Sequence, residues 1–313
     1  MSKEQYCSPH PAHAPLLLAA VCAHWRSIAT STRDLWSSLN FQKSSLAEDD
    51  TELLLLWLKR SGSRPFSLRL VLEPAQSQPS ASLTAFLSTV FDHLTRFTSL
   101  VICVEGSCPV LAESKSQILI LQELSLDVEW DDLTVTQLLC NLFRSSAMKS
   151  LTYVNFRGFR SDSSPRLDHD WTNVTRLYLA YEMSVMECGW ILSQCRRVCE
   201  ARFELVGYWG ESSTDPLVFA PMPLKYLRQL EISSLEDLSP LFNAFNSHSL
   251  HAMRISLPRS ADPWPHIPFI DWIQRTGCRL QELRICGPVT EEECAEIALI
   301  AGIYPTVSVA PGM

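Results

Sequence analysis

One short apolar pattern occurs eight times in this chain, and that recurrence limits the possible folds more than any other feature. The pattern is Leu-x-x-Leu-x-Leu with conservative apolar replacements. It appears as Phe97/Leu100/Ile102, Leu121/Leu124/Leu126, Leu151/Val154/Phe156 and Val174/Leu177/Leu179. It continues as Val198/Ala201/Phe203, Leu227/Leu230/Ile232, Leu250/Met253/Ile255 and Leu280/Leu283/Ile285. Successive starts are 24, 30, 23, 24, 29, 23 and 30 residues apart. Two weaker copies come first, Trp36/Leu39/Phe41 and Pro65/Leu68/Leu70. The last two positions of each copy alternate with a polar or variable residue, as on a strand whose successive side chains point to opposite faces. One such unit cannot bury its apolar face alone, whereas stacked neighbours share a continuous core.

Helical spacing fills the intervals. Thr51 to Arg60 ends at Ser61-Gly62, a stop signal. Ser82 to Leu94 places Leu83, Phe86, Leu87, Val90, Phe91 and Leu94 on one stripe. Met186 to Cys195, Ile267 to Thr276 and Glu291 to Ile300 read similarly, the last opened by a Thr290/Glu293 capping box. Strand plus helix at this period resembles a leucine-rich repeat, in a longer, degenerate, helix-containing form without the strict Asn of short repeats. The expected fold is therefore α/β: a leucine-rich-repeat-like solenoid of short parallel strands alternating with helices. A different α/β arrangement of similar strands would carry the same pattern.

In that fold the residue between the last two pattern positions faces outward. These residues are Val101, Ser125, Asn155, Tyr178, Arg202, Glu231, Arg254 and Arg284, flanked by Arg157, Arg176, Glu204 and Glu282. The row begins neutral and ends polar and charged. It suits a protein segment, and Arg is the residue of choice for gripping a carboxylate or phosphate. Arg157, Tyr178, Arg202, Glu231, Arg254 and Arg284 are the partner-binding candidates, for an acidic or phosphorylated stretch of a target. A solvated face is the plainer reading of the same row.

Bulk properties exclude other classes. The net charge of −8 disfavours nucleic acid and anionic membrane surfaces. The longest apolar run, Leu16 to Ala23, is eight residues, against roughly 18 or more for a spanning helix. The eleven cysteines form no Cys-x-x-Cys pair and mostly sit in apolar stretches, which suits a reducing compartment, cytoplasm or nucleus. Only 10 glycines occur, so no flexible interdomain linker is expected.

Catalytic motifs are missing: no Gly-x-Ser-x-Gly, no Gly-x-Gly-x-x-Gly and no phosphate-cradling Gly-Lys-Ser/Thr loop. His248 and His251 read as a polar turn, and Asp168-His169-Asp170 as a solvated connector. Asp127, Glu129, Asp131 and Asp132 read as a solvent-facing edge around Trp130. Asn173-Val174-Thr175 is an accidental glycosylation match. Trp190, Trp272 and Phe269 sit on helix stripes and read as core, while Tyr208-Trp209 precedes a polar loop and is a possible anchor. No enzyme activity, metal or cofactor is expected.

The N-terminal region adds a different signal. Leu17, Leu18, Val21, Cys22, Trp25 and Ile28 form one wide apolar stripe after Pro15. It contains Cys-x-x-Trp-Arg (Cys22, Trp25, Arg26) and is followed by Ser-Thr-x-x-Leu-Trp-x-x-Leu (Ser31 to Leu39). With Trp57-Leu58-x-Arg60-Ser61-Gly62 and Pro65-Phe66-Ser67-Leu68, this segment resembles the F-box-like proteins of mushroom-forming fungi. The match covers about residues 14 to 41. The resemblance implies a substrate-recognition subunit of a Skp1–cullin–F-box ubiquitin ligase. Its partners would be a Skp1-like adaptor and a protein substrate, and it would be a monomer outside that complex. It implies adaptor binding through Leu17, Leu18, Val21, Cys22 and Trp25. A complete F-box opens with a Leu-Pro-x-Glu-like segment and a first helix. Residues 1 to 13 carry neither, so the unit is expected to be truncated and its adaptor affinity low, its stripe serving mainly as the cap of the solenoid. The expected division is a disordered 1–14, a truncated F-box-like helical segment 15–62 and a repeat domain 63–313. The alternative is a leucine-rich-repeat-like protein-binding scaffold unconnected to ubiquitin.

Overall fold

The computed structural model describes residues 6–72, 81–104, 120–130, 151–159, 171–206, 221–257, 264–303 and 305–308. Tyr208-Trp209, Asp168 to Asp170, Asp131 and Asp132 lie outside the described residues. The chain forms two compact units, one running to Phe159 and the other holding Asp170–Met313. The boundary falls inside the segment expected as a single repeat domain, and residues 15–62 belong to the first unit.

Among the described residues the first unit contains five parallel strands that pair in chain order: β1 (Ser38–Lys43), β2 (Phe66–Leu72), β3 (Phe97–Val104), β4 (Glu123–Trp130) and β5 (Tyr153–Phe159). The helices α1 (Leu16–Val21) and α2 (Ala23–Ser31) precede them. Between β1 and β2 runs α3 (Glu48–Ser61), and between β2 and β3 runs α4 (Ala81–Asp92).

The second unit contains β6 (Arg176–Met183), β7 (Glu200–Val206), β8 (Met222–Pro223), β9 (Gln229–Ser234), β10 (Phe245–Asn246), β11 (Ala252–Ser256), β12 (Glu282–Cys286) and β13 (Thr306–Ser308). The main ladder runs β6-β7-β9-β11-β12-β13, every pair parallel, and β8 pairs with β10 beside it. Helices α5 (Val185–Gln194), α6 (Ser239–Ala244), α7 (His266–Thr276) and α8 (Glu291–Ala301) connect successive strands. The class is α/β, with parallel strands alternating with helices.

The apolar pattern explains both ladders. All three positions of all eight copies are buried, the most exposed being Leu280 at 6%. Equivalent positions pair in register: Leu68, Leu100, Leu124 and Val154 in the first unit, and Leu177, Ala201, Leu230, Met253 and Leu283 in the second. The residue after the first pattern position carries a repeated backbone bond that fixes strand entry. The N–H of Gln122 donates to Thr98 O at 2.8 Å, that of Arg228 to Cys199 O at 2.7 Å and that of Gln281 to His251 O at 2.7 Å. Register could not slip by one residue without turning a buried row to water.

Local chemistry sets the helix ends. The Thr290/Glu293 capping box forms as expected, with Thr290 Oγ1 accepting from the Glu293 N–H at 3.2 Å and the Glu293 carboxylate accepting from the Thr290 N–H at 2.8 Å. Ser184 and Glu187 make the same box at α5. The helix α3 ends at Gly62, whose φ of 62° disfavours other residues.

Three expectations change. The single helix expected over the N-terminal stripe is two, broken at Cys22, whose φ of −160° and ψ of 173° are extended. The Cys22 thiol then caps α2 by accepting from the Trp25 N–H at 3.5 Å. The described part of the segment expected as disordered, residues 6–14, makes bonds to the sheet. Cys7 O accepts from the Asn40 N–H of edge strand β1 at 2.9 Å, and the Tyr6 hydroxyl lies 2.9 Å from Ser99 Oγ. Trp190 is 37% exposed rather than core, whereas Phe269 and Trp272 are fully buried.

Candidate functional site

Two surfaces collect the residues singled out from the sequence, one in each unit. The first is the apolar stripe of α1 and α2. Leu17 is 46% exposed, Val21 60%, Trp25 44% and Ile28 41%. Cys22 is exposed and Leu18 half-buried. No residue of α1 is buried, and only Ala29 of α2 is. A helix in a cap would place this stripe against the core; here it is open, so the expected capping role does not hold. The attachment to the sheet comes instead from the Ser31–Leu39 turn. Trp36 is fully buried and donates from Nε1 to Ala29 O at 2.7 Å. The two tryptophans of the motif thus have opposite environments, Trp36 anchoring and Trp25 presented.

The second surface is the outward face of the second unit's sheet. Tyr178, Arg202, Glu231, Arg254 and Arg284 lie side by side in register across β6, β7, β9, β11 and β12. Five of the six partner-binding candidates therefore form one row. Arg157 lies on β5 of the first unit, paired in register with Asp127. The earlier part of the expected row also belongs to the first unit. There Val101, Ser125 and Asn155 are aligned, Ser125 is buried, and Asn155 Nδ2 donates to Ser125 Oγ at 2.9 Å.

In the charged row the ions are matched within the sheet. The Arg202 guanidinium lies 4.8 Å over the Tyr178 ring and pairs with both Glu204 and Glu231. Arg254 and Arg284 share Glu282, with N···O distances of 3.0 and 2.7 Å. Burial lowers the Arg202 pKa, but Glu231, Tyr178 and Glu204 together raise it above its ordinary value. The Arg254 hydrogen bond, aided by the Arg284 charge, holds the Glu282 carboxyl below its ordinary range. Two guanidiniums around one carboxylate leave the Arg254/Arg284 end net positive.

Beside this row lies an open trough of about 480 Å³. Its charged lining is Glu204, Glu231, Arg254 and Arg284, and Ser233, Ser256 and Cys286 line it at the next outward position. Those last three are paired in register. These small residues lie two positions beyond the charged ones in the same alternation, and nothing but that alternation marks them in the sequence.

Other candidate chemistry is structural. His248 Nδ1 donates to Thr276 O and His251 Nδ1 lies 3.5 Å from Ser249 O, so the two rings serve turns. Cys188 and Cys195 are free thiols buried on and beside α5. Burial pushes the Cys195 thiol up to about 12, and that of Cys188 upward too. Such thiols are poor nucleophiles. Among the described residues no cluster of His, Cys, Asp or Glu is placed to hold a metal ion, and no helix is long and apolar enough to cross a membrane. Neither models of known protein families nor curated proteins match the chain.

Proposed function

We propose that this chain is a protein-recognition subunit that carries its target to a ubiquitin ligase through a Skp1-like adaptor and performs no chemistry itself. The observation that carries the reading is the open apolar stripe of α1 and α2. Four large apolar side chains, Leu17, Val21, Trp25 and Ile28, stand more than 40% exposed within 12 residues of chain. Large contiguous apolar exposure marks interaction surfaces. The Cys-x-x-Trp-Arg and Leu-Trp-x-x-Leu motifs around the stripe give the adaptor as its occupant. Target recognition is assigned to the charged row of the second unit, over a leucine-rich-repeat-like solenoid. The in-register repeats and their shared strand-entry bond support that description of the fold. Cytoplasm or nucleus is the compartment in which such a complex operates.

Affinity purification of the full chain after proteasome inhibition tests the reading. Recovery of a Skp1-like adaptor with a cullin, lost in Trp25→Ala and Val21→Asp variants that melt like the parent, is the expected result. Recovery of protein partners with no adaptor in any variant would make the chain a scaffold unconnected to ubiquitin.

A further inference from the structure

The two arginines at the positive end of the second unit's row are gathered on a single oxygen. Arg254 reaches Glu282 Oε1 through Nη2 at 3.0 Å and through Nε at 3.3 Å, and Arg284 reaches the same oxygen through Nε at 2.7 Å. Arg254 Nη1 and both terminal nitrogens of Arg284 take no part in that contact. Glu282 stands two residues before Arg284 on β12, and Cys286 two residues after it. Along the outward face the guanidiniums therefore lie between a carboxylate on one side and the trough on the other. Ser233 and Ser256 line the trough beside Cys286, and their hydroxyls are further donors able to turn towards an anion. Two guanidiniums and one carboxylate leave one positive charge in excess. Glu231, next to Arg254 in register, has Arg202 on its other side at 3.5 Å. Glu204 is on β7, two strand steps from Arg254. That is about 10 Å at the backbone, beyond the screening length of about 8 Å in physiological salt. The excess at Arg254/Arg284 is therefore set by these two arginines and Glu282, whatever else answers Glu204.

We infer that Arg254 and Arg284 bind the carboxylate of one Asp or Glu side chain in an extended peptide laid along the trough, and that Glu282 selects this monoanion over a phosphate. The attraction of an ion to a fixed potential grows with its charge, whereas the cost of stripping its water grows with the square of that charge. A phosphorylated residue, at a charge of about −2, gains about twice the attraction of a carboxylate for about four times the desolvation. Only one uncompensated positive charge stands against it here. A carboxylate instead brings the site to two anions and two cations, and its planar pair of oxygens fits a guanidinium fork. Glu282 also orders the site. By holding both guanidiniums on one oxygen it fixes them before a ligand arrives, which lowers the entropy lost on binding. The trough is open and its outward residues Ser233, Ser256 and Cys286 are small, so a chain can run along it past the arginines. A chain terminus would suit a closed pocket better. The volume of about 480 Å³ lies in the range of about 300–1,000 Å³ common for ligand sites. The acidic or phosphorylated stretch expected from the row of arginines thus narrows to an acidic side chain.

The inference rests on the reading of this sheet face as the recognition surface and is independent of the adaptor. A synthetic library of random peptides with amidated C-termini, panned on the immobilised full chain, tests it. Amidation removes the terminal carboxylate, so any dependence on acid comes from side chains. The enriched peptides should share one Asp or Glu. Its change to Asn or Gln should weaken binding about tenfold or more, as expected for loss of a charge-assisted contact. Phosphoserine at that place should bind the parent chain more weakly than the acid does. In Glu282→Gln, with the positive excess doubled, phosphoserine should become the tighter of the two. Arg254→Gln/Arg284→Gln should abolish binding of the acidic peptides. A bound peptide should slow alkylation of Cys286, followed by mass spectrometry, which places it in the trough. Enrichment without a shared acid, tolerance of the amide, a parent chain that prefers phosphoserine, an unchanged preference in Glu282→Gln or an unprotected Cys286 would each overturn the inference. The amide and phosphoserine comparisons need only the parent chain, so they decide the matter even if a variant fails to fold. A chain that recovers the adaptor yet enriches no acid-dependent peptide loses this site and keeps the ligase reading. One that selects such peptides and recovers no adaptor does the opposite.

Discussion

The indole ring of Trp36 meets that of Trp57 edge to face, with centroids 4.7 Å apart and planes at 67°. Both rings are fully buried. The Arg60 guanidinium covers Trp36 from another side at 4.2 Å. This contact joins the Ser31–Leu39 turn to α3, and through the Trp36 Nε1–Ala29 bond it holds the end of α2. Truncating such a ring costs about 3–5 kcal/mol. Trp36→Ala should lose that much in urea unfolding. The two phenylalanine variants separate ring from hydrogen bond. Trp36→Phe breaks a buried bond, whereas the Trp57 Nε1 has no partner among the described residues. Trp57→Phe should therefore be the milder change by about 1 kcal/mol.

Trp25 predicts the opposite. Its ring is 44% exposed, and substitutions away from buried features change stability by about 0.5 kcal/mol or less. Trp25→Ala should leave the unfolding midpoint nearly unchanged while removing adaptor recovery. A large loss of stability in Trp25→Ala would mean that the ring packs as core.

Asp50 is a buried carboxylate with two partners. It accepts from the Ala47 N–H at 2.9 Å, capping α3, and pairs with Lys43 of β1. Lys43 is 40% exposed, which screens the pair. Lys43→Met should cost about 1–2 kcal/mol by leaving a buried charge with fewer partners. Lys43→Met/Asp50→Asn should recover part of that loss, read as a coupling energy in a double-mutant cycle.

The Glu282 carboxyl should titrate below the ordinary value of about 4.3. A depressed carboxyl stabilises the fold above its unfolded pKa, and that contribution disappears as pH falls through the lower folded value. Because the Arg254 hydrogen bond is the largest cause, Arg254→Gln should raise the Glu282 midpoint more than Arg284→Gln. Carboxyl carbon shifts followed by NMR from pH 7 to 2 would read both.

Thiol reactivity should follow burial. Cys22 is exposed, whereas Cys188 and Cys195 are buried with thiols pushed upward, that of Cys195 to about 12. In the native protein at pH 8, iodoacetamide should modify Cys22 and leave Cys188 and Cys195 untouched until denaturant is added. Early labelling of either would show that α5 opens readily.

Much of the architecture was legible because it depends on short-range periodicity. A residue at the second or third pattern position is apolar for one reason, and all eight copies obey it, so strands, parallel pairing and the charged row could be located by counting. The helix starting at Thr290 could be read from two residues that recognise each other directly. Less legible were features made by distant segments. Tyr6 and Cys7 sit in a polar, proline-flanked stretch, and they are held by bonds to distant segments, among them those to Ser99, Ser38 and Asn40. Trp190 lies on a helix stripe in projection, but no neighbour covers it fully.

By itself the sequence determined the alternation: which side of each strand is buried, which residues face out, and where the helices start and stop. These are consequences of backbone geometry acting over two to four residues. Only the tertiary structure decided which outward residues meet. Arg254 and Arg284 are 30 residues apart in the chain, yet both reach Glu282: Arg284 from two residues along the same strand, and Arg254 from the neighbouring strand about 5 Å away. It likewise decided that Trp36 is buried and Trp25 is not. Hydropathy treats the two rings alike, and only the packing of α3 against the turn tells them apart.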